Sequence, residues 1–242
     1  PVVRQAIETT RGEVLAYNGD VCDARFSKCC GGVSERFDNT WEPVNHPYLT
    51  KVIDSASLAS VPDLSEEAQA RAWILSSPDV FCNTRDKQVL SNVLNDYDQE
   101  TQDFFRWETS YTTEELSTLV KTKLGIDFGT ITSIEPLQRG VSGRIIRLRL
   151  TGTKKSMTIG KELIIRKAFS PSHLYSSAFI VETEKNSSGT PARFTFKGAG
   201  WGHGVGLCQI GAAVMSARGY SYKEILMHYF PGSEIIQLKM EN

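Results

Sequence analysis

The stretch 198–211 reads GAGWGHGVGLCQIG and concentrates residues able to do chemistry. Its glycines at 198, 200, 202, 204, 206 and 211 leave the backbone bare. Such a backbone can take positive φ and let a ligand come close. His203 and Gln209 are the polar side chains, and Trp201 is an aromatic platform. A nucleotide site would need GxGxxG after a strand, with a phosphate ligand in view, and the spacing here does not match. The other reading of the stretch is a tight corner held by a structural histidine.

A second cluster is 22–32, CDARFSKCCGG. Cys22, Cys29 and Cys30 could bind zinc as thiolates, although structural zinc sites usually space their cysteines C-x₂₋₄-C. A fourth ligand such as His46 would have to come from elsewhere. The alternative is one disulfide, for instance to Cys82, with the other thiols buried. The chain has 5 cysteines, so pairing leaves at least one free. Cys208 reads as a small packing residue in a helix.

Ordinary glycosidases place a pair of carboxylates about the scissile bond. Glu8, Glu35, Asp38, Glu42 and Glu182 are candidates by type, and their spacing singles out none. Neither GxSxG nor HExxH occurs. Phe104-Phe105-Arg106-Trp107 is either core or a sugar-stacking face.

These residues need elements to position them. Asn18-Gly19 between 13–17 and 21–27 predicts a hairpin. The segment 34–54 reads as irregular. A helix is expected over 65–75 with Ser65 as N-cap, and 89–97 is amphipathic without a clear type. Thr112 and Glu115 form a capping box for a helix over 112–124, with Gly125 placed to end it. Residues 131–196 read as successive strands, and 144–150 alternates with Ile146, Leu148 and Leu150 on one face. The end turns helical: 206–218, then a helix capped by Ser221 and Glu224 and stopped at Pro231-Gly232. The fold class is α+β. It has a mixed β-rich core, barrel-like or of curved sheets, an inserted helical segment over 55–110, and C-terminal helices.

At 242 residues, 40% hydrophobic and 23% charged, the chain can bury a sizeable core. A net charge of −1 and pI near 6.5 speak against a nucleic-acid binder. No apolar run is long enough for a membrane span. The chain begins at Pro1 and shows no signal peptide, so any export signal is expected upstream.

Several segments together resemble the SpoIID/LytB family, which includes the sporulation stage II D lytic transglycosylases and the LytB-type amidase enhancers. AIETTRGEVLAYNG at 6–19 is similar to its hairpin "A-x-x-T-x-G-x-V-L-x-Y-x-G". Residues 23–32 resemble "D-A-x-F-S-x-x-C-G-G", with Glu35 just beyond. Pro47-Tyr48-Leu49 and Ser142-Gly143-Arg144 resemble its "P-Y-L" and "S-G-R". GWGHGVGLCQIGA at 200–212 resembles "G-x-G-H-G-V-G-M-S-Q-x-G-A", and 222–232 its closing "Y-x-E-I-L-x-H-Y-Y-P-G".

The resemblance implies an exported protein, periplasmic or facing the cell wall, whose partners are peptidoglycan glycan strands and a cell-wall amidase. It implies one SpoIID-like domain over 1–242, truncated at its N-terminus. The catalytic glutamate is expected before Pro1, so no catalytic residue is assigned within the chain, which is expected to be inactive alone. The full protein would be a sporulation-related lytic transglycosylase cleaving the MurNAc–GlcNAc bond to 1,6-anhydro products. The alternative is a non-catalytic wall-binding amidase enhancer. Trp201, Gly202, His203, Gly204 and Gln209 would face the glycan together with Ser27. Clostridial members bind zinc near the CGG segment, which makes Cys22, Cys29 and Cys30 the candidate ligands and zinc the candidate cofactor.

Overall fold

The computed structural model describes residues 2–94 and 103–238. A short helix, α1 (Val2–Thr9), leads into the expected hairpin of β1 (Glu13–Tyr17) and β2 (Asp20–Val21). Asn18 at φ 52° and Gly19 at φ 88° are both left-handed, as a two-residue hairpin turn requires. The return strand is shorter than 21–27. After Val21 the chain leaves the hairpin, and β3 (Phe26–Ser27) pairs with a strand far along the chain.

The segment 34–54 holds the short α2 (Phe37–Thr40) and isolated bridges. Next come α3 (Glu67–Leu75) and α4 (Lys87–Val93). Ser65 does not cap α3. Its hydroxyl is spent on Asp63 Oδ1 at 2.7 Å, and Glu66 takes the N-cap position without a side-chain bond. Asp86 caps α4 through Gln88 and Val89. The amphipathic run 89–97 is thus helical as far as Val93, and its last residues lie outside the described ones.

β4 (Arg106–Thr112) runs directly into α5 (Thr113–Leu124), with both halves of the Thr112–Glu115 capping box made and Gly125 left-handed at φ 67°. β5 (Ile131–Arg139), β6 (Ile145–Gly152) and β7 (Ser156–Ile159) form an antiparallel sheet. On β6 the expected alternation holds, with Leu148 and Leu150 fully buried and Arg147 and Arg149 outside. Each such leucine contributes roughly 1.5–3 kcal/mol of apolar burial. The strand-rich region is interrupted by α6 (Glu162–Ala168). Its buried residues Glu162, Ile165, Arg166 and Ala168 recur at helical spacing, a pattern that the apolar triplet Leu163-Ile164-Ile165 hides.

β8 (Phe179–Lys185) and β9 (Pro191–Ala199) pair with β4 in the order β4-β9-β8. β10 (Leu207–Cys208) runs parallel to β3, then α7 (Gln209–Ala217) and α8 (Tyr222–Tyr229) follow, the latter on its Ser221–Glu224 capping box. α7 starts at Gln209 rather than at residue 206, because Gly206 sits at φ 72°. The last described element is a strand: β11 (Glu234–Gln237) follows α8 and closes back on β1. The fold is α+β with open sheets, and no barrel closes among the described residues. No helix among them is long and apolar enough to cross a membrane.

Two buried clusters result. One gathers Trp107, Leu116, Val120, Phe169, Phe179, Phe194 and Phe196 around the β4-β9-β8 sheet and α5. The other gathers Cys29, Cys30, Phe81, Cys82, Ile210 and Tyr229 beneath α7 and α8. The glycine-rich run leaves β9 in the first cluster and enters β10 in the second, so it is the crossing between them.

Candidate functional site

The crossing is braced from below by a buried polar network. Trp201 and Cys29 exchange backbone hydrogen bonds, N–H to O at 2.7 and 3.0 Å. Arg144 is only 1% exposed. Its guanidinium donates to the carbonyls of Gly202 (3.2 Å) and Cys30 (3.1 Å) and to Ser142 Oγ (3.0 Å). A charge buried so deeply must be fully hydrogen-bonded to be tolerated. Ser142 Oγ in turn donates to Glu35 at 2.6 Å. The buried Glu35 carboxylate also accepts from the backbone N–H groups of Arg36, Val141 and Ser142 and from Asn39 Nδ2. Its own N–H donates to Gly204 O at 2.9 Å. Glu35, Ser142-Gly143-Arg144 and the glycine run thus meet in one structural unit.

His203 belongs to this brace. Its Nδ1 accepts the Val205 N–H at 3.1 Å, and its ring stands edge-on to Trp41 with centroids 4.7 Å apart. Burial, then the charges of Arg144, Arg166 and Arg25, lower its pKa to about 4. It is a neutral acceptor at neutral pH. Ser27 is buried, with its Oγ lacking a hydrogen-bond partner, and its Cβ faces the space beside Gly202. Gln209 opens α7 and is half-buried.

Trp201 points the other way. Its ring meets Tyr175 at 5.0 Å and 78°, and Lys28 lies 4.2 Å from its centroid. Tyr175 continues to Trp107 at 6.1 Å. Trp107 Nε1 donates to Gly200 O at 3.1 Å, and its ring lies where a side chain on Gly198 would be. Two clefts share the Tyr175 and Trp107 rings. One, about 340 Å³, is walled by Trp201, Tyr175, Trp107, Tyr111 and His173. The other, about 500 Å³, continues past Trp107 and Tyr175 to Arg106, Asp103 and Lys197. Glu108 lines both. The result is an aromatic trough with a charged rim, the composition of a small-molecule cleft. Of the residues singled out in the glycine run, Trp201 lines this trough, whereas Gly202, His203 and Gly204 belong to the brace. Tyr175, Tyr111 and Glu108 carried no motif. Of the tetrad 104–107, Arg106 and Trp107 reach the trough, and Phe104 and Phe105 are core.

The other carboxylates named by type scatter. Glu8 pairs with Arg4, Asp38 with Arg36, and Glu182 with Arg71 and Lys197 on the surface, and Glu42 is exposed.

The thiols group only in part as the sequence suggested: Cys82 does come beside Cys30 and the thiols are buried, but none is joined in a disulfide. Cys22 sits at the end of the hairpin, its N–H bonded to Leu15 O, and His46 packs against Phe37 and Tyr48. Cys30 instead meets Cys82, Cys208 and Asp54, whose ligand atoms lie within 4.8 Å of one another, all four residues buried. Cys29 adjoins Cys82 and Cys208. All the cysteines are free. Cys208 immediately precedes α7 and is packed in the buried core, beside Cys30 and Asp54. Sequence spacing could not reveal the group, because its members come from distant segments.

The family described as Domain of unknown function (DUF8618) matches residues 35–206. A protein of Bacillus subtilis (strain 168) named "Amidase enhancer" is 26% identical over 254 residues, covering 96% of this chain and 32% of that protein. An uncharacterized protein of Brachyspira hyodysenteriae is 27% identical over 240 residues, covering 99% of this chain and 50% of its own length. The chain therefore spans half or less of the length of these curated relatives.

Proposed function

The chain belongs to the DUF8618 family, and from that premise we propose that it is a wall-binding module of the amidase-enhancer kind. It acts outside the cytoplasm, holds peptidoglycan glycan strands, and stimulates a cell-wall amidase without cutting the glycan. The observation that carries this reading is the Trp201–Tyr175–Trp107 wall of the trough. Sugar rings offer C–H faces to aromatic rings and hydroxyls to polar rims, and this trough presents both. The name of the Bacillus relative points in the same direction.

Cleavage asks for more. A general acid needs its proton and an apolar pocket that raises its pKa. Glu35, the deeply buried carboxylate beside the glycine run, is occupied by donors on every side. Glu108, on the trough, is exposed. Among the described residues neither carboxylate is set up as a general acid, and the name of the Bacillus relative favours the binding reading over the transglycosylase reading.

Co-sedimentation with insoluble peptidoglycan tests it, together with amidase assays and mass spectrometry of digested glycan strands. The expected result is retention on the wall, a faster amidase and intact strands. Trp201→Ala and Tyr175→Ala should each weaken retention on the order of tenfold, about 1.4 kcal/mol. Neither retention nor stimulation would overturn the proposal, and anhydro-muramic products would replace it with the transglycosylase.

A further inference from the structure

The buried cluster of Cys30, Cys82, Cys208 and Asp54 has no part in the trough, and its geometry is that of a ligand set. The Sγ atoms of Cys30 and Cys82 lie 3.7 Å apart. Two sulfurs on a tetrahedral zinc at about 2.3 Å stand roughly 3.8 Å from each other. The Cys30 N–H donates to Cys208 Sγ at 3.2 Å, a bond that favours a thiolate. Both Asp54 oxygens are steadied from behind, Oδ2 by the Cys82 N–H at 2.8 Å and Oδ1 by the Tyr229 hydroxyl. Ligating carboxylates are characteristically oriented by such outer bonds. Gly211 makes room for this pair, since a side chain there would run into Tyr229 and Asp54. Arg106, largely buried and bonded to the carbonyls of Trp73, Ser76 and Phe105, supplies a nearby positive charge.

We propose that Cys30, Cys82, Cys208 and Asp54 form a closed, structural site for a zinc-class divalent ion. Three soft sulfurs and one oxygen suit zinc better than calcium or magnesium, which prefer oxygen ligands throughout. Burial of all four leaves no open position for substrate, which makes the site structural rather than catalytic. Metal entry displaces the thiol protons to solvent. The ion would tie the CGG turn, the 54–82 segment and the start of α7 together, directly below the crossing that carries Trp201. This inference stands apart from the wall-binding proposal.

The test uses the whole chain, purified without chelator. Elemental analysis should find about one zinc per chain. Cobalt(II) replacement should give thiolate-to-cobalt charge-transfer absorption and intense tetrahedral d–d bands. Cys82→Ser, Cys208→Ser and Asp54→Asn should weaken metal affinity on the order of tenfold or more or shift the cobalt bands, and Cys22→Ser should leave them unchanged. The wild-type cobalt spectrum keeps the test decisive if a variant fails to fold. No retained metal and no cobalt band would overturn the site, as would mass-spectrometric detection of a disulfide within the cluster. A cobalt spectrum altered by Cys29→Ser and untouched by Asp54→Asn would overturn the ligand set.

Discussion

Gly204 and Arg144 occupy adjoining space: a side chain on Gly204 would stand inside the Arg144 guanidinium. Gly204 is also left-handed at φ 78°. Its lack of a side chain therefore serves two ends, the turn and the buried cation beneath it.

Gly204→Ala should cost about 2–4 kcal/mol, because backbone strain and displacement of a buried charge add. Gly125→Ala is the comparison. That glycine is left-handed at φ 67° with nothing near its missing side chain, so only the conformational cost of about 1–2 kcal/mol applies. Urea denaturation of both variants reads the difference, and equal losses would show that Arg144 moves aside freely.

Glu35→Gln tests the brace from its other end. The amide's N–H₂ group would face N–H donors that now point at a carboxylate oxygen. The expected loss is about 2–3 kcal/mol from groups left unpaired. The folded variant should still bind wall glycan, since Glu35 does not line the trough. Loss of binding at full stability would give Glu35 a direct role.

His203 predicts a pH effect. Its pKa is lowered by burial and neighbouring arginines to about 4, against about 6.5 when unfolded. Between those values the unfolded chain holds more protons on this ring, so stability falls as pH falls. The contribution is whole above about pH 6.5 and is lost as pH drops through about 4. His203→Asn should show a flatter stability curve than the wild type across that window. Titration of the ring by NMR should give a midpoint far below the ordinary histidine value, and a midpoint near 6.5 would contradict the burial argument.

The helix caps make a paired prediction. Thr112→Ala removes the hydroxyl that accepts the Glu115 N–H, leaving the backbone half of the capping box in place, and should cost about 1 kcal/mol. Ser65→Ala should stay within about 0.5 kcal/mol, because Ser65 bonds Asp63 and does not cap α3. Thermal melts of the two variants separate the cases.

What the sequence alone determined is local. Asn18-Gly19, the capping boxes at Thr112 and Ser221, Gly125 as a stop and the alternation along β6 are each set by residues within a turn or two. Short-range sterics and hydrogen bonds therefore make them legible. The motifs around Glu35, Arg144 and the glycine run were also visible as residues, but not their shared role. Only the tertiary structure decided that Arg144 and His203 brace the crossing while Trp201 turns outward to Tyr175 and Trp107. It also grouped Cys30 and Cys82 with Cys208 and Asp54, and left Cys22 out of that group. Such groupings depend on which strands pair and which buried charges find partners, and those are contacts between segments far apart in the chain that no local spacing encodes.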